Sequence, residues 1–166
     1  MDNIVLIGMP GSGKSTVGVV LAKVLGYEFL DSDLVIQKRE KRLLCEIIEQ
    51  EGIDGFLAIE NEVNKSLDVD RTVIATGGSA VYGKEAMEHL KEIGTVIYLR
   101  LGYKVLRRRL GSLKKRGVVL RKGQTFRMLY DERTPLYEKY ADLIIDEENK
   151  NIRETLHTIQ KKLKNK

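Results

Sequence analysis

The stretch Gly8-Met9-Pro10-Gly11-Ser12-Gly13-Lys14-Ser15-Thr16 places a lysine and three hydroxyl side chains among three glycines. It fits G-x-x-x-x-G-K-[ST], with an apolar run over 4–7 just before it and a helical pattern just after. Glycines at such a junction let successive N–H groups and the helix N-terminus face phosphate oxygens. Lys14 is then placed for the β and γ oxygens of a nucleotide triphosphate, and the Ser15 hydroxyl for Mg²⁺. Gly11, Ser12, Gly13 and Thr16 complete the cradle. A plain glycine turn is the alternative, and it does not account for both the motif and its strand–turn–helix context.

A phosphate loop serves several kinds of protein. A GTPase switch needs D-x-x-G, and no aspartate of this chain has glycine three residues later; Asn64-Lys65-Ser66-Leu67 also lacks the aspartate of N-K-x-D. The large motor ATPases need a longer chain than 166 residues. A kinase that uses ATP on a small-molecule acceptor remains.

Residues for the acceptor follow other strand-like runs. Asp31 and Asp33 come just after 27–30, where one faces the metal and the other a substrate hydroxyl; capping of the next helix is the competing role. Gly77, Gly78 and Ser79 follow 72–75, where bare backbone lets a ligand approach. Phe126, Tyr130, Arg133, Tyr137 and Tyr140 recur at helical spacing and so share a face. An arginine in an aromatic stripe costs free energy unless it meets an anion, either an internal glutamate or the carboxylate or phosphate of a substrate.

These residues are held by an alternation of elements. Strand-like runs at 4–7, 27–30, 72–75, 96–99 and 143–145 are separated by helical patterns at 15–25, 43–50, 55–67, 84–93, 103–110, 125–140 and 152–163. That order predicts a three-layer α/β/α domain around a five-stranded parallel sheet, with ligands at the carboxyl ends of the strands.

With 42% hydrophobic and 32% charged residues the chain reads as one globular domain. Cys45 is its only cysteine, and no apolar stretch nears the ~20 residues that span a bilayer, so the expected address is the cytoplasm with no membrane partner. Net charge is +5, yet nine basic residues and no acidic one lie between Lys104 and Lys122. That strip, with Gly111 and Gly117 in it and Gly123 just after it, reads as a lid that carries positive charge to the transferring phosphate. A nucleic-acid patch is the rival reading, but few aromatics interleave it and no binding motif accompanies it, so no nucleic-acid partner is expected. Nothing demands a second chain, and a monomer is expected.

The phosphate loop, D-x-D after the second strand, the glycine turn after the third, the basic lid and R-T-P-L-Y together resemble the shikimate kinase family, in that family's order and over almost the whole chain. The resemblance implies a P-loop kinase fold like that of nucleoside monophosphate kinases, with a substrate-binding helical insert over about 33–62 and a lid over about 112–124. It implies ATP and Mg²⁺, with Lys14 and Ser15 on phosphate and metal and Asp31 supporting the metal through water. Asp33 would orient or deprotonate the acceptor hydroxyl, Arg133 would grip a carboxylate, Arg116 would be the lid arginine, and Arg109 would stack on adenine. The family's F-R-x-x-E reads Phe56-Leu57-Ala58-Ile59-Glu60 here, so Leu57 replaces a second carboxylate-binding arginine. Ser79 replaces the third glycine of the turn, and Arg116-Gly117 stands for the usual Arg-Pro. Loss of one charge-assisted bond, about 1.5–3 kcal/mol, weakens shikimate binding roughly ten- to a hundredfold. Three outcomes stay open: Lys65 or Arg121 substitutes, the acceptor is another small hydroxylated metabolite, or the chain is a nucleotide-binding module without activity.

Overall fold

A computed structural model describes residues 3–111 and 118–166 of the chain. Its strands are β1 (Asn3–Ile7), β2 (Glu28–Asp31), β3 (Thr72–Ala75), β4 (Gly94–Arg100) and β5 (Leu143–Asp146). Its helices are α1 (Lys14–Leu25), α2 (Ser32–Glu40), α3 (Leu44–Lys65), α4 (Lys84–Ile93), α5 (Tyr103–Leu110), α6 (Phe126–Tyr140) and α7 (Ile152–Lys164). All strand pairs are parallel, in the order β2-β3-β1-β4-β5. Val5 registers with Ile74 on one side and Val96 on the other, which puts β1 and the loop that follows it at the sheet centre.

Burial on both faces explains why β1 reads as an unbroken apolar run. Ile4 and Leu6 pack with Val17 and Leu21 of α1 and Ile159 of α7. Val5 and Ile7 point the other way, to Met87 and Leu90 of α4 and Tyr137 of α6. The three layers and the five parallel strands agree with the reading of the sequence. Ile36 of α2 with Ile47, Phe56 and Val63 of α3 forms a smaller apolar cluster of its own, which Val119 joins. Among the described residues no helix is long and apolar enough to cross a membrane.

Two boundaries differ from the expected ones in ways that matter for the site. β2 runs one residue further, so Asp31 ends the strand and pairs in register with Ala75. The two helices expected at 43–50 and 55–67 are one element, α3, interrupted at Gly52, whose φ of 72° and ψ of 175° are not helical. Glycine takes that left-handed φ without steric cost, so the helix changes course there and resumes.

The end of the sheet remote from the phosphate loop is fastened by Asn3, which is 1% exposed. Its Nδ2 donates to the carbonyls of Val69 (2.7 Å) and Ile93 (3.0 Å), and its Oδ1 accepts from the Thr72 N–H (2.9 Å). Asn3→Ala strands these buried groups and should lower the unfolding free energy by about 1–3 kcal/mol, read from the urea midpoint. A loss within about 0.5 kcal/mol would show that the clamp does not hold the sheet together.

Candidate active site

The phosphate loop leaves β1 and enters α1 through Gly13, a left-handed residue at φ 89°. Lys14 is 8% exposed, and its Nζ donates to the carbonyls of Gly8 (2.8 Å) and Met9 (2.9 Å). Burial lowers its pKa to about 8, a shift that Asp33 opposes. Ser15 Oγ donates to Asp31 Oδ2 at 3.2 Å, while Asp31 Oδ1 accepts from the Asp33 N–H at 3.0 Å. Asp31 therefore caps α2 with one oxygen and turns the other to the phosphate loop. Capping and site chemistry are not alternatives at this residue.

A cavity of about 300 Å³ joins the two halves of the site. Gly11, Gly13, Lys14, Ser15 and Thr16 line it from the phosphate side, with Asp31 and Asp33 at the end of β2. Gly77, Gly78, Ser79 and Arg133 line it from the acceptor side. Ser12 and Arg109 lie instead on a second cavity of about 230 Å³ beyond the loop, beside Glu147 and the start of α7. There Arg109 Nη1 donates to the Gly11 carbonyl at 3.2 Å. Arg116 falls outside the described residues, as does the 112–117 part of the expected lid. Val118 and Val119, just after it, line the main cavity.

The glycine turn is glycine for want of space. A methyl on Gly77 would meet Asp33 Oδ1 at 2.7 Å and Glu60 Oε2 at 2.9 Å. A methyl on Gly78 would meet Pro10 Cδ at 2.7 Å and Arg133 Nη1 at 2.9 Å. Tyr137 Oη donates to the Gly78 carbonyl at 2.6 Å, and Thr76 Oγ1 donates to the Leu6 carbonyl at 2.9 Å, so the turn is tied to both α6 and β1.

Arg133 is 1% exposed. Its Nε donates to Tyr82 Oη at 3.3 Å, one Nη donates to the Val119 carbonyl at 3.4 Å, and the guanidinium lies 5.3 Å from the Tyr82 ring centre. Among the described residues it has no ion-paired carboxylate. Glu60 acts on it through space, but that acid is engaged with Ser79, whose Oγ donates to Glu60 Oε1 at 2.6 Å. The serine that replaces a glycine thus turns its hydroxyl to the acid behind the turn.

Leu57 packs with the apolar cluster of the α2–α3 insert and borders a small side cavity that Arg121 and Arg133 also border. Arg121 reaches α3 and pairs with the exposed Asp54 at 2.7 Å. Lys65 pairs with Glu85 at 2.8 Å on the surface and lines neither cavity of the site. Of these two cations, Arg121 alone shares a cavity with Arg133.

Electrostatics single out four groups. Burial, then Asp31, raises Asp33 to about 6, against the pull of Lys14. Burial raises Glu60 to about 7, with Ser79 opposing and Asp33 adding to the rise. Burial also raises Glu147 to about 7, opposed by Arg109 and Lys14. Lys14 is the fourth, and clusters of perturbed groups in a cleft mark functional sites. Glu147 is the group that sequence reasoning misses. It immediately follows β5, on the same carboxyl-end rim of the sheet that makes Asp31 and Gly77 conspicuous.

The donors also suit a magnesium ion. Ser15 Oγ is 3.2 Å from Asp31 Oδ2, so the hydroxyl would ligate the ion while the carboxylate beside it would hold one of the ion's waters. Among the described residues no group of three or more His, Cys, Asp and Glu is gathered for a metal. Mg²⁺ does not need one, since it takes most ligands from phosphate and water.

A glycine-rich loop between the central parallel strand and its helix, with an acceptor pocket at the same sheet edge, defines the P-loop kinase fold. Comparison with known proteins carries this further. The family model described as shikimate kinase matches residues 10–164, and the chain belongs to the shikimate kinase family. Shikimate kinase 2 of Yersinia pseudotuberculosis serotype O:3 is 42% identical over 111 residues, covering 67% of this chain and 64% of that protein. The match thus spans a little under two thirds of that relative's length. Shikimate kinase of Thermodesulfovibrio yellowstonii is 41% identical over 151 residues, 89% of this chain and 87% of that one. Among solved structures, shikimate kinase from Acinetobacter baumannii in complex with shikimate superposes with a TM-score of 0.90 at 36% identity, covering 100% of this chain and 95% of that one.

The raised acids fix the sign of a pH effect on stability. Asp33, Glu60 and Glu147 keep protons in the folded chain that they release at ordinary carboxylate pKa values when unfolded. Stability conferred below about pH 4 is therefore lost as pH rises toward about 7. The melting temperature of the free protein should fall by a few degrees from about pH 5 to about pH 7.5, and Glu60→Gln should flatten part of the fall. A melting temperature that rises over this interval would show that the three acids do not retain their protons in the fold.

Proposed function

We propose that the chain transfers the γ-phosphoryl group of ATP to a hydroxyl of shikimate. The observation that carries this reading is the single cavity in which the phosphate loop, Asp33 and a buried Arg133, unpaired with any carboxylate among the described residues, meet. A carboxylated acceptor supplies the counter-charge that Arg133 lacks, and this docks the ring with its hydroxyls toward Asp33. Likeness to family members over nearly the whole chain, one of them solved in complex with shikimate, supports the choice of acceptor.

In this reading Lys14 leaves its two carbonyl partners for the β and γ oxygens of ATP, and the N–H groups of 11–16 hold the remaining phosphate oxygens. Ser15 directly, and Asp31 through water, would hold an Mg²⁺ ion, which would supply charge neutralisation at the phosphates. Asp33 accepts the proton of the attacking hydroxyl as the oxygen closes on the γ-phosphorus in line with the departing ADP oxygen. Its pKa of about 6 leaves it ionised at neutral pH while still able to hold that proton. Arg109 flanks the base beyond the loop, and Arg116 brings charge to the transferring group from the lid. Residues 1–166 then form one P-loop kinase domain, with the insert at about 33–62 and the lid at about 112–124. The chain is taken to act as a monomer, and the lone Cys45 supports a cytoplasmic address.

Leu57 packs into the insert's apolar cluster and borders only the side cavity, so Arg133 is the one arginine that lines the acceptor cavity among the described residues. That favours a Michaelis constant for shikimate above that of a two-arginine site rather than a different reaction.

A coupled assay of ADP release tests the proposal. Shikimate should stimulate ADP formation, and shikimate 3-phosphate or an isomer should accumulate in equal amount. Asp33→Asn should lower kcat about 10²–10⁴-fold with ATP affinity unchanged. Arg133→Lys should raise the shikimate KM about ten- to a hundredfold. No stimulation by shikimate, alongside stimulation by another polyol, would overturn the substrate. No acceptor-dependent turnover at all would overturn the enzyme.

A further inference from the structure

Glu60 is a buried acid that the transfer chemistry leaves unused. It is 2% exposed, Ser79 donates to one of its oxygens, and the other, Oε2, has no hydrogen-bond partner. That oxygen lies against Gly77, whose backbone lines the acceptor cavity. Asp33 Oδ1 and Glu60 Oε2 flank the same methyl-sized gap over Gly77, at 2.7 and 2.9 Å, and Arg133 Nη1 stands equally close over Gly78. Two acids and one cation converge on a single peptide unit.

Among the groups that act on Glu60, Asp33 and Arg133 cancel when both are charged, and Lys14 acts on Asp33 but not on Glu60. Ionising Glu60 as well therefore adds a carboxylate that no further cation answers, in a place shielded from water. A single retained proton removes the excess. The charged groups that act on Glu60 are Asp33 from α2 and Arg133 from α6, while Ser79 from the turn contributes a neutral donor. On the α4 side, Lys65 and Glu85 neutralise each other at the surface. Asp33 also feels the Lys14 cation and Glu60 does not, so the retained proton belongs on Glu60.

We propose that Glu60 is a positioning residue whose proton sets acceptor affinity. Protonated, it leaves the charge of Arg133 free for the acceptor's carboxylate. Ionised, it competes for that charge and repels the incoming anion. The inference rests on the shikimate reading of the cavity, and it separates two constants. As pH rises through the Glu60 titration the acceptor KM increases, while kcat, set by Asp33 and the phosphate loop, does not follow.

The test compares the full-length protein with Glu60→Gln and Ser79→Ala from about pH 6.5 to about pH 8.5, with carbon-13 NMR of the Glu60 carboxyl in the free protein alongside. The shikimate KM of the native chain should rise about tenfold over that interval, and that of Glu60→Gln should stay flat at the low-pH value. In Ser79→Ala the rise should move to higher pH, because the lost hydrogen bond favoured the ionised acid. The carboxyl signal should titrate near neutrality and move to lower pH in Asp33→Asn. Parallel KM profiles in the native and Glu60→Gln proteins, or a carboxyl that titrates at an ordinary value, would overturn the inference. Absence of turnover with the neutral titration intact would instead count against shikimate as acceptor.

Discussion

A guanidinium cannot escape burial by losing its proton, so the charge of Arg133 must be answered where it lies. Burying an unanswered cation costs several kcal/mol. Here the answer is partial: a tyrosine hydroxyl, a backbone carbonyl and a ring face, all neutral. What remains of the charge makes an anionic ligand favourable at one point of the cavity. It also lowers the proton affinity of Glu60 against the effects of burial and of Asp33. Substrate binding and the protonation of that acid thus draw on the same cation.

Such an arrangement persists only if its backbone cannot relax. The Gly77–Gly78 turn is pressed between Pro10 of the phosphate loop and the side chains of Asp33, Glu60 and Arg133. Tyr137 holds its carbonyl, Thr76 ties the end of β3 to β1, and parallel register fixes the ends of β1, β2 and β3 to one another. The phosphate loop and the acceptor turn therefore share a wall. Displacement at one side is felt at the other, as expected where catalysis depends on placing two reactants in line.

Much of this is legible in the chain alone. The phosphate loop is local chemistry on consecutive residues, and β1 declares itself because both its faces are buried. The stripe through Arg133 is readable because helical period alone puts those residues on one face. Other features depend on distant segments. That Asp31 both caps α2 and faces Ser15 follows from β2 ending one residue later than its apolar run. The Ser79–Glu60 bond joins residues 19 apart through the crossing of α3 over the turn, and no periodicity announces it. Glu147 escapes notice although it follows a strand, because it sits in the acidic, surface-like stretch Asp146-Glu147-Glu148. Leu57 reads in sequence only as a lost arginine; its partnership with the insert's apolar cluster appears in three dimensions.

One cavity must hold both the nucleotide's terminal phosphate and the acceptor's carboxylate. A crystal structure with shikimate and a non-hydrolysable ATP analogue tests this most directly. The carboxylate should sit on Arg133, with one ring hydroxyl between Asp33 and the terminal phosphate held by Lys14. A shikimate carboxylate bound away from Arg133, or a terminal phosphate out of reach of the hydroxyl beside Asp33, would contradict it.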